Sequence, residues 1–312
     1  MDTTSFIMIG NKETGKTTSM ISAYGVLSKN GVSGFKIKAL NESDKSELDS
    51  LFINLKRGEY PLATAKRSTY FFDLLYKDSP IHRFEWKDFN GGIINEKNIE
   101  SVQVLKEDMQ ESSGIMLFFD AEKLYNNSID TKVRRILHII SQNLVSIERV
   151  FYVAIVITKF DLLTDFQRHD IDTLLSPLKP LICNIQNSEY VYSLWIPTSC
   201  TANGMINVGI PILYMLHGSM STYCDDKYAE LVDEIQKYQN YVDNSGFFDD
   251  IVSFFSDEKT YRQLAQEKYN QVQPQIEYYN NVIEALKHLQ KYIEDVDLLK
   301  DFFKTKKIKY NF

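Results

Sequence analysis

Residues 10–17 read Gly10-Asn11-Lys12-Glu13-Thr14-Gly15-Lys16-Thr17, with Thr18 next, and match the pattern G-x-x-x-x-G-K-[ST]. An apolar run, 5–9, precedes them and a helical stretch, 16–28, follows, which is the strand–loop–helix setting this motif needs. The two glycines let the backbone curl so that successive N–H groups point at phosphate oxygens. Lys16 brings a cation to the β- and γ-phosphates, and the Thr17 hydroxyl is a ligand for Mg2+. The N-terminal dipole of the following helix faces the same anion.

Four further segments fall in an order that narrows the chemistry. Asp88-Phe89-Asn90-Gly91 closes a strand, so that Asp88 can reach the magnesium through water and the Gly91 N–H can reach the γ-phosphate. Thr158-Lys159-Phe160-Asp161 closes another. A carboxylate there accepts from guanine's ring N–H and exocyclic amine, and the lysine stem lies along the base. Adenine has no such donor pair and would leave a desolvated carboxylate unpaired, a loss that discriminates by up to ~10⁴-fold or more. Thr198-Ser199-Cys200-Thr201 follows the next strand, with the Ser199–Cys200 backbone in reach of guanine O6. Pro61-Leu62-Ala63-Thr64 precedes strand 69–76, and Thr64 is the candidate to ligate magnesium and sense the γ-phosphate, with Ser68 and Thr69 as competitors.

The ordered set GNKETGKT, PLAT, DFNG, TKFD and TSC resembles the translation-factor-like and Ras-like P-loop GTPases over residues 5–218. The extra helix 42–57 and the NVGIP approach to the last helix of that region are similar to the bacterial double-GTPase branch. The resemblance implies a GTP/GDP- and Mg2+-dependent switch with Lys16, Thr64 and Gly91 in catalytic positions, engaging a protein effector or activator. It also implies an association with multi-gene conflict systems. Two departures stand out. Thr158 replaces the asparagine usual in the base motif, and the aspartate carries most of the discrimination. Gly92 stands where Ras-like enzymes carry the glutamine that orients the attacking water, so hydrolysis should be slow unless Asn90, Asn95 or a partner supplies that group. Arg57, Lys66 and Arg67 flank Thr64 and read as solvated cations that could neutralise charge. The rival function is a pseudo-GTPase scaffold that binds nucleotide without turnover.

Such residues need a framework to hold them. Short apolar runs at 5–9, 69–76, 81–88, 114–120, 150–157 and 190–197 alternate with amphipathic stretches at 16–28, 42–57, 97–112, 131–147, 170–186 and 208–217. That grammar predicts an α/β P-loop fold, three layers around a mostly parallel six-stranded sheet. Past residue 220 strand-like runs vanish and apolar residues recur at helical spacing, with Pro274 starting or kinking one helix. The chain thus divides into a nucleotide-binding domain, 1–220, and an all-helical extension, 221–312, of three to five helices.

Composition sets the boundaries. The chain has 312 residues, 44% hydrophobic and 25% charged, which excludes disorder and low complexity. A net charge of −7, from 35 basic and 42 acidic residues, argues against nucleic acid as a charge-driven partner. Three cysteines without C-x-x-C spacing indicate neither zinc nor a disulfide scaffold, and a reduced, cytoplasmic setting fits. No basic leader is seen, and the apolar run 151–157 is too short to span a bilayer. His82, His138, His169, His217 and His288 lack metal-site spacing. Phe247-Phe248 and Phe254-Phe255 read as a core stripe or a docking patch, and the lysine-rich terminus 304–312 as a solvated tail able to touch anionic lipid only weakly.

Overall fold

The computed structural model describes residues 3–61, 68–88, 99–202, 204–244 and 261–296. Its centre is a sheet of strands β1 (Thr3–Ile9), β2 (Phe35–Ala39), β3 (Ser68–Tyr76), β4 (Ser79–Asp88), β5 (Gly114–Asp120), β6 (Phe151–Thr158) and β7 (Val191–Pro197). In space the order is β2-β3-β4-β1-β5-β6-β7. The pairs β2–β3 and β3–β4 are antiparallel, and all the others are parallel.

β5 and β6 are apolar runs buried along their whole length, because crossover helices cover both faces. Alternate residues serve opposite layers. Ile7, Ile9, Ile115, Leu117, Val153 and Ile155 point into one core, which they share with Leu105 and Met109 of α3 (Ile99–Glu111) and Ile136, Ile140 and Leu144 of α5 (Thr131–Val145). On the other face Tyr152 meets Tyr214 of the long helix α9 (Ile210–Asn244), ring centroids 6.1 Å apart. Each fully buried Leu- or Ile-sized side chain contributes about 1.5–3 kcal/mol.

The fold class matches the expectation, with one correction to the strand count: the sheet has seven strands, not six. The addition, β2, is a five-residue edge strand reading Phe-Lys-Ile-Lys-Ala. Its lysines alternate with the buried Phe35, Ile37 and Ala39, and so short an apolar signal just after the Gly31–Gly34 turn did not stand out in the sequence.

Helix boundaries differ in two places. The stretch expected as one helix over 170–186 is three short pieces, α7 (Ile171–Leu175), a 3₁₀ turn Ser176–Leu178 and α8 (Lys179–Asn187), preceded by a separate short helix, α6 (Asp165–His169). Asp170 caps α7 through Thr173 N–H at 3.2 Å, and Pro177 and Pro180 reset the backbone beyond it. The helix expected to stop at 217 instead runs on to Asn244. Gly218 is not a terminator: a Cβ there would stand 2.3 Å from the Tyr152 ring, so its lack of a side chain serves packing inside the helix.

Among the described residues the chain clusters into two compact units, 3–219 with 289–296, and 220–288. Within the second unit, Tyr223 and Tyr279 pair with ring centroids 6.4 Å apart, and Leu231, Val282 and Leu286 are buried. The helix α10 (Tyr261–Val296) continues through Pro274 rather than starting there. No helix among the described residues is long and apolar enough to cross a membrane. Phe247, Phe248, Phe254, Phe255 and the 304–312 tail lie outside the described residues.

Candidate nucleotide site

Parallel pairing brings the strand ends to one edge. Met8 is opposite Asp88, Ile9 opposite Leu117, Asp120 opposite Thr158, and Ile157 opposite Pro197. The loop after β1, Asp88, Asp120, Thr158–Asp161 and Thr198–Thr201 therefore gather at the carboxyl edge, where open α/β sheets bind ligands.

The loop 10–15 is shaped for close approach. A Cβ on Gly10 would lie 2.8 Å from Thr14 Oγ1 and 2.9 Å from the Phe118 carbonyl, so only glycine fits. Gly15 is left-handed, φ 80°, and immediately precedes α1 (Lys16–Lys29). Glu13 shares that hand at φ 64°, a conformation uncommon for a residue with a side chain. The Asn11 carbonyl accepts from Thr14 Oγ1 at 2.9 Å, and Asn11 Oδ1 accepts from the Lys12 N–H at 2.9 Å, which tightens the curl. Lys12 and Glu13 are exposed, and Thr18 is half-buried in the first turn of α1. That turn has no acceptors four residues back within the helix, which suits it to an anion.

Lys16 Nζ donates to Gly10 O at 2.9 Å and Asn11 O at 3.2 Å, so its ammonium sits in the mouth of the loop. Burial pushes its pKa below the ordinary lysine value, against an opposing pull from Asp88. Thr17 Oγ1 donates to Asp88 Oδ2 at 3.1 Å, and Asp88 is only 2% exposed. A hydroxyl and a carboxylate this close are a pair of hard oxygen donors of the kind that fits Mg2+.

On the base side, the Thr158 hydroxyl lies 2.7 Å from Thr14 O and 3.0 Å from Phe119 O, tying the base motif to the phosphate loop. Lys159 is left-handed, φ 56°, and its Nζ pairs with the buried Asp120 carboxylate at 2.7 Å. Asp120 Oδ1 also accepts from Lys123 N–H at 3.2 Å, capping α4 (Ala121–Tyr125). The Asp161 N–H donates to Ser199 Oγ at 3.2 Å, and its carbonyl accepts from Arg168 Nη2 at 2.7 Å. Its carboxylate accepts no hydrogen bond and forms no ion pair among the described residues.

Ser199 and Cys200 lie in a small antiparallel hairpin, β8 (Ser199–Thr201) with β9 (Gly204–Ile206). Ser199 contributes its hydroxyl, whereas the sequence expectation concerned its backbone. The Cys200 sulfur is 3.7 Å from Ser19 Oγ, and burial pushes its thiol pKa up.

The structure thus brings together Gly10, Gly15, Lys16, Thr17, Asp88, Thr158, Lys159, Asp161, Ser199 and Cys200. Thr64, Gly91 and Gly92 lie outside the described residues, as do Asn90, Asn95, Lys66 and Arg67. Of Thr64's competitors, Ser68 is placed opposite Asp88 at the same edge. Arg57 is exposed at the end of α2 (Glu42–Lys56).

Two residues escaped the sequence reading. Asp120 had a signal, because it closes the apolar run GIMLFFD as Asp88 closes its own strand. Arg168 had none, standing seven residues after Asp161 in no motif.

The glycine-rich loop between β1 and α1, at the carboxyl edge of this sheet, defines the class: a three-layer P-loop fold. No family model matches the chain, and no curated protein matches it in sequence. Among solved structures it is similar to a bacterial selenocysteine-specific elongation factor, EF-Sec, at 17% identity over 69% of this chain and 29% of that chain, TM-score 0.38. It is also similar to the ADP ribosylation factor-like GTP binding protein/small COPII coat GTPase SAR1 from Encephalitozoon cuniculi in complex with GDP, at 13% identity over 72% and 83%, TM-score 0.37. A third is the S. cerevisiae Ski7 GTPase-like domain bound to GDP and inorganic phosphate, at 16% identity over 63% and 43%, TM-score 0.41.

Proposed function

We propose that the chain is a GTP/GDP-binding switch that uses Mg2+, hydrolyses GTP slowly and engages a protein partner according to the nucleotide bound. One observation carries the reading. A phosphate loop with Lys16 in its mouth shares an edge with a carboxylate, Asp161, whose peptide group is held on both sides while its oxygens lack a protein partner among the described residues.

The roles follow from the chemistry. The backbone of 10–15 and the start of α1 hold the β-phosphate, Lys16 pairs with the β- and γ-oxygens, and Thr17 with Asp88 holds the metal. Magnesium, when bound, neutralises charge on the β- and γ-phosphates. Thr64 and Gly91 sense the γ-phosphate, Asp161 reads guanine, Lys159 lies along the base, and Ser199 with the Cys200 backbone borders O6. The helical extension, 221–312, recognises the partner, with the switch segments controlling access to it.

Gly92 supports a second reading, a pseudo-GTPase scaffold, since glycine has no side chain to orient a water. Calorimetry with GDP, GTP and ATP tests the first: guanine nucleotides should bind at least ~100-fold more tightly than ATP. Equal affinity for ATP would refute it. Single-turnover phosphate release from preloaded GTP separates the two readings, since the scaffold releases no phosphate above the spontaneous rate.

A further inference from the structure

Resting on the guanine reading above, we infer that Arg168 is a positioning residue that sets base selectivity by aiming the Asp161 carboxylate. No protein group holds the Asp161 carboxylate itself among the described residues, so its direction is set through its backbone. Asp161 lies in a one-turn 3₁₀ segment, Phe160–Leu162, entered through the left-handed Lys159. Such short turns have few bonds of their own, and this one has Leu162 N–H to Lys159 O at 3.0 Å and Leu163 N–H to Phe160 O at 3.3 Å.

Phe160 N–H also donates to Thr198 O at 3.2 Å, and Arg168 adds a further restraint on the carbonyl side. Its Nη2 donates to the Asp161 carbonyl at 2.7 Å and its Nε to the Phe160 carbonyl at 3.3 Å, so one planar fork spans two successive peptides. Its Nη1 contact with Asp165, at 3.2 Å, is to a carboxylate 91% exposed and adds little. The fork itself is anchored. Thr164 and Gln167 form a reciprocal capping box at the start of α6, which holds Arg168 in register with the loop.

With Ser199 Oγ on the Asp161 N–H and Arg168 on its carbonyl, the Cα–Cβ direction of Asp161 is fixed before a base arrives. Guanine offers two donors to that carboxylate, the ring N1–H and the 2-amino group. Catching both requires a defined carboxylate direction, whereas catching one does not. Arg168 therefore governs the second bond.

Inosine diphosphate isolates that bond, because it keeps N1–H and the diphosphate and lacks only the 2-amino group. The experiment measures the affinities of GDP and IDP, with Mg2+, for the full chain and for Arg168→Ala, Arg168→Gln and Arg168→Lys, with thermal melts as a check on folding. A charge-assisted hydrogen bond corresponds to about 10–100-fold in affinity, which is the GDP/IDP ratio expected of the wild type. In Arg168→Ala the ratio should fall at least fivefold, chiefly through weaker GDP binding, and Arg168→Lys, with one point charge in place of the fork, should recover part of it. If Arg168→Ala does not fold, Arg168→Gln answers the same question, since one amide cannot span both carbonyls. A ratio retained within twofold, or equal losses for GDP and IDP, would overturn the inference and leave Arg168 a structural residue. A wild-type ratio near one would instead overturn the guanine reading itself.

Discussion

Replacing Thr158 with valine keeps the shape of a buried residue and deletes one hydroxyl, which makes it a clean probe of the link between the phosphate loop and the base motif. The hydroxyl has one proton and two carbonyls in reach, Thr14 O at 2.7 Å and Phe119 O at 3.0 Å, and the residue is 3% exposed. Losing that donor leaves a buried carbonyl without its partner, at about 1–3 kcal/mol. There is a steric consequence as well. A methyl carbon rests about 3.3–3.6 Å from a carbonyl oxygen, so in the hydroxyl's place it drives the Thr14 carbonyl back by about 0.6 Å or more. That peptide leads directly into Gly15 and the first turn of α1, so the loss should appear in nucleotide affinity as well as in stability. For a unit of this size the melting point should drop by about 2–12 °C. GDP should bind at least ~10-fold more weakly, since 1.4 kcal/mol corresponds to one decade. Calorimetry at fixed Mg2+ and scanning calorimetry without nucleotide read the two effects separately. A valine variant that melts lower yet binds GDP within twofold of wild type would show that Thr158 braces the strands and does not shape the loop.

Lys16→Ala should abolish measurable GDP binding while leaving the urea midpoint nearly unchanged, because burial already disfavours the charged lysine; calorimetry and urea melts check the pair. Asp161→Asn should shift preference from guanine to xanthine nucleotides, whose extra carbonyl accepts from the amide, and competition among GTP, XTP and ATP reads the change. His217 is 2% exposed, and burial lowers its pKa from 6.5 to about 4. Between those values the unfolded chain binds a proton that the folded chain does not, so this residue's contribution to stability is intact above pH 6.5 and is lost as pH falls towards 4, by about 3 kcal/mol. Urea melts across that window should show the slope, and His217→Met should flatten it by about one proton.

The phosphate loop was legible because each of its positions is dictated by chemistry that a sequence states outright: a glycine where a Cβ would strike Phe118, a lysine in the loop's mouth and a threonine facing Asp88. The parallel core was legible for a related reason, since β5 and β6 are buried on both faces and must be continuously apolar. What escaped depended on partners distant in sequence. β2 is a strand only because β3 pairs with it along one edge. The helix expected over 208–217 runs on through Gly218, where Tyr152 occupies the space a side chain would need.

The same distinction separates the residues that would touch a nucleotide from those that hold them in place. Lys16, Thr17 and Asp161 are recognisable because a bound nucleotide would constrain their type and spacing. Asp120 and Arg168 are constrained only by the protein, the first through Lys159 at 2.7 Å and the second through the Phe160 and Asp161 carbonyls. A carboxylate or a guanidinium in those places can be replaced by other devices that fix the same backbone, so no motif marks them. On the reading proposed here, the base side of the site is held by three separate ties: Thr158 to the phosphate loop, Lys159 to β5, and Asp161 to both the hairpin and α6. Each tie has its own partner atoms, so loosening one should change selectivity or affinity without unfolding the sheet. Such separable losses are the behaviour expected of an organised nucleotide site rather than of a glycine turn that merely connects a strand to a helix.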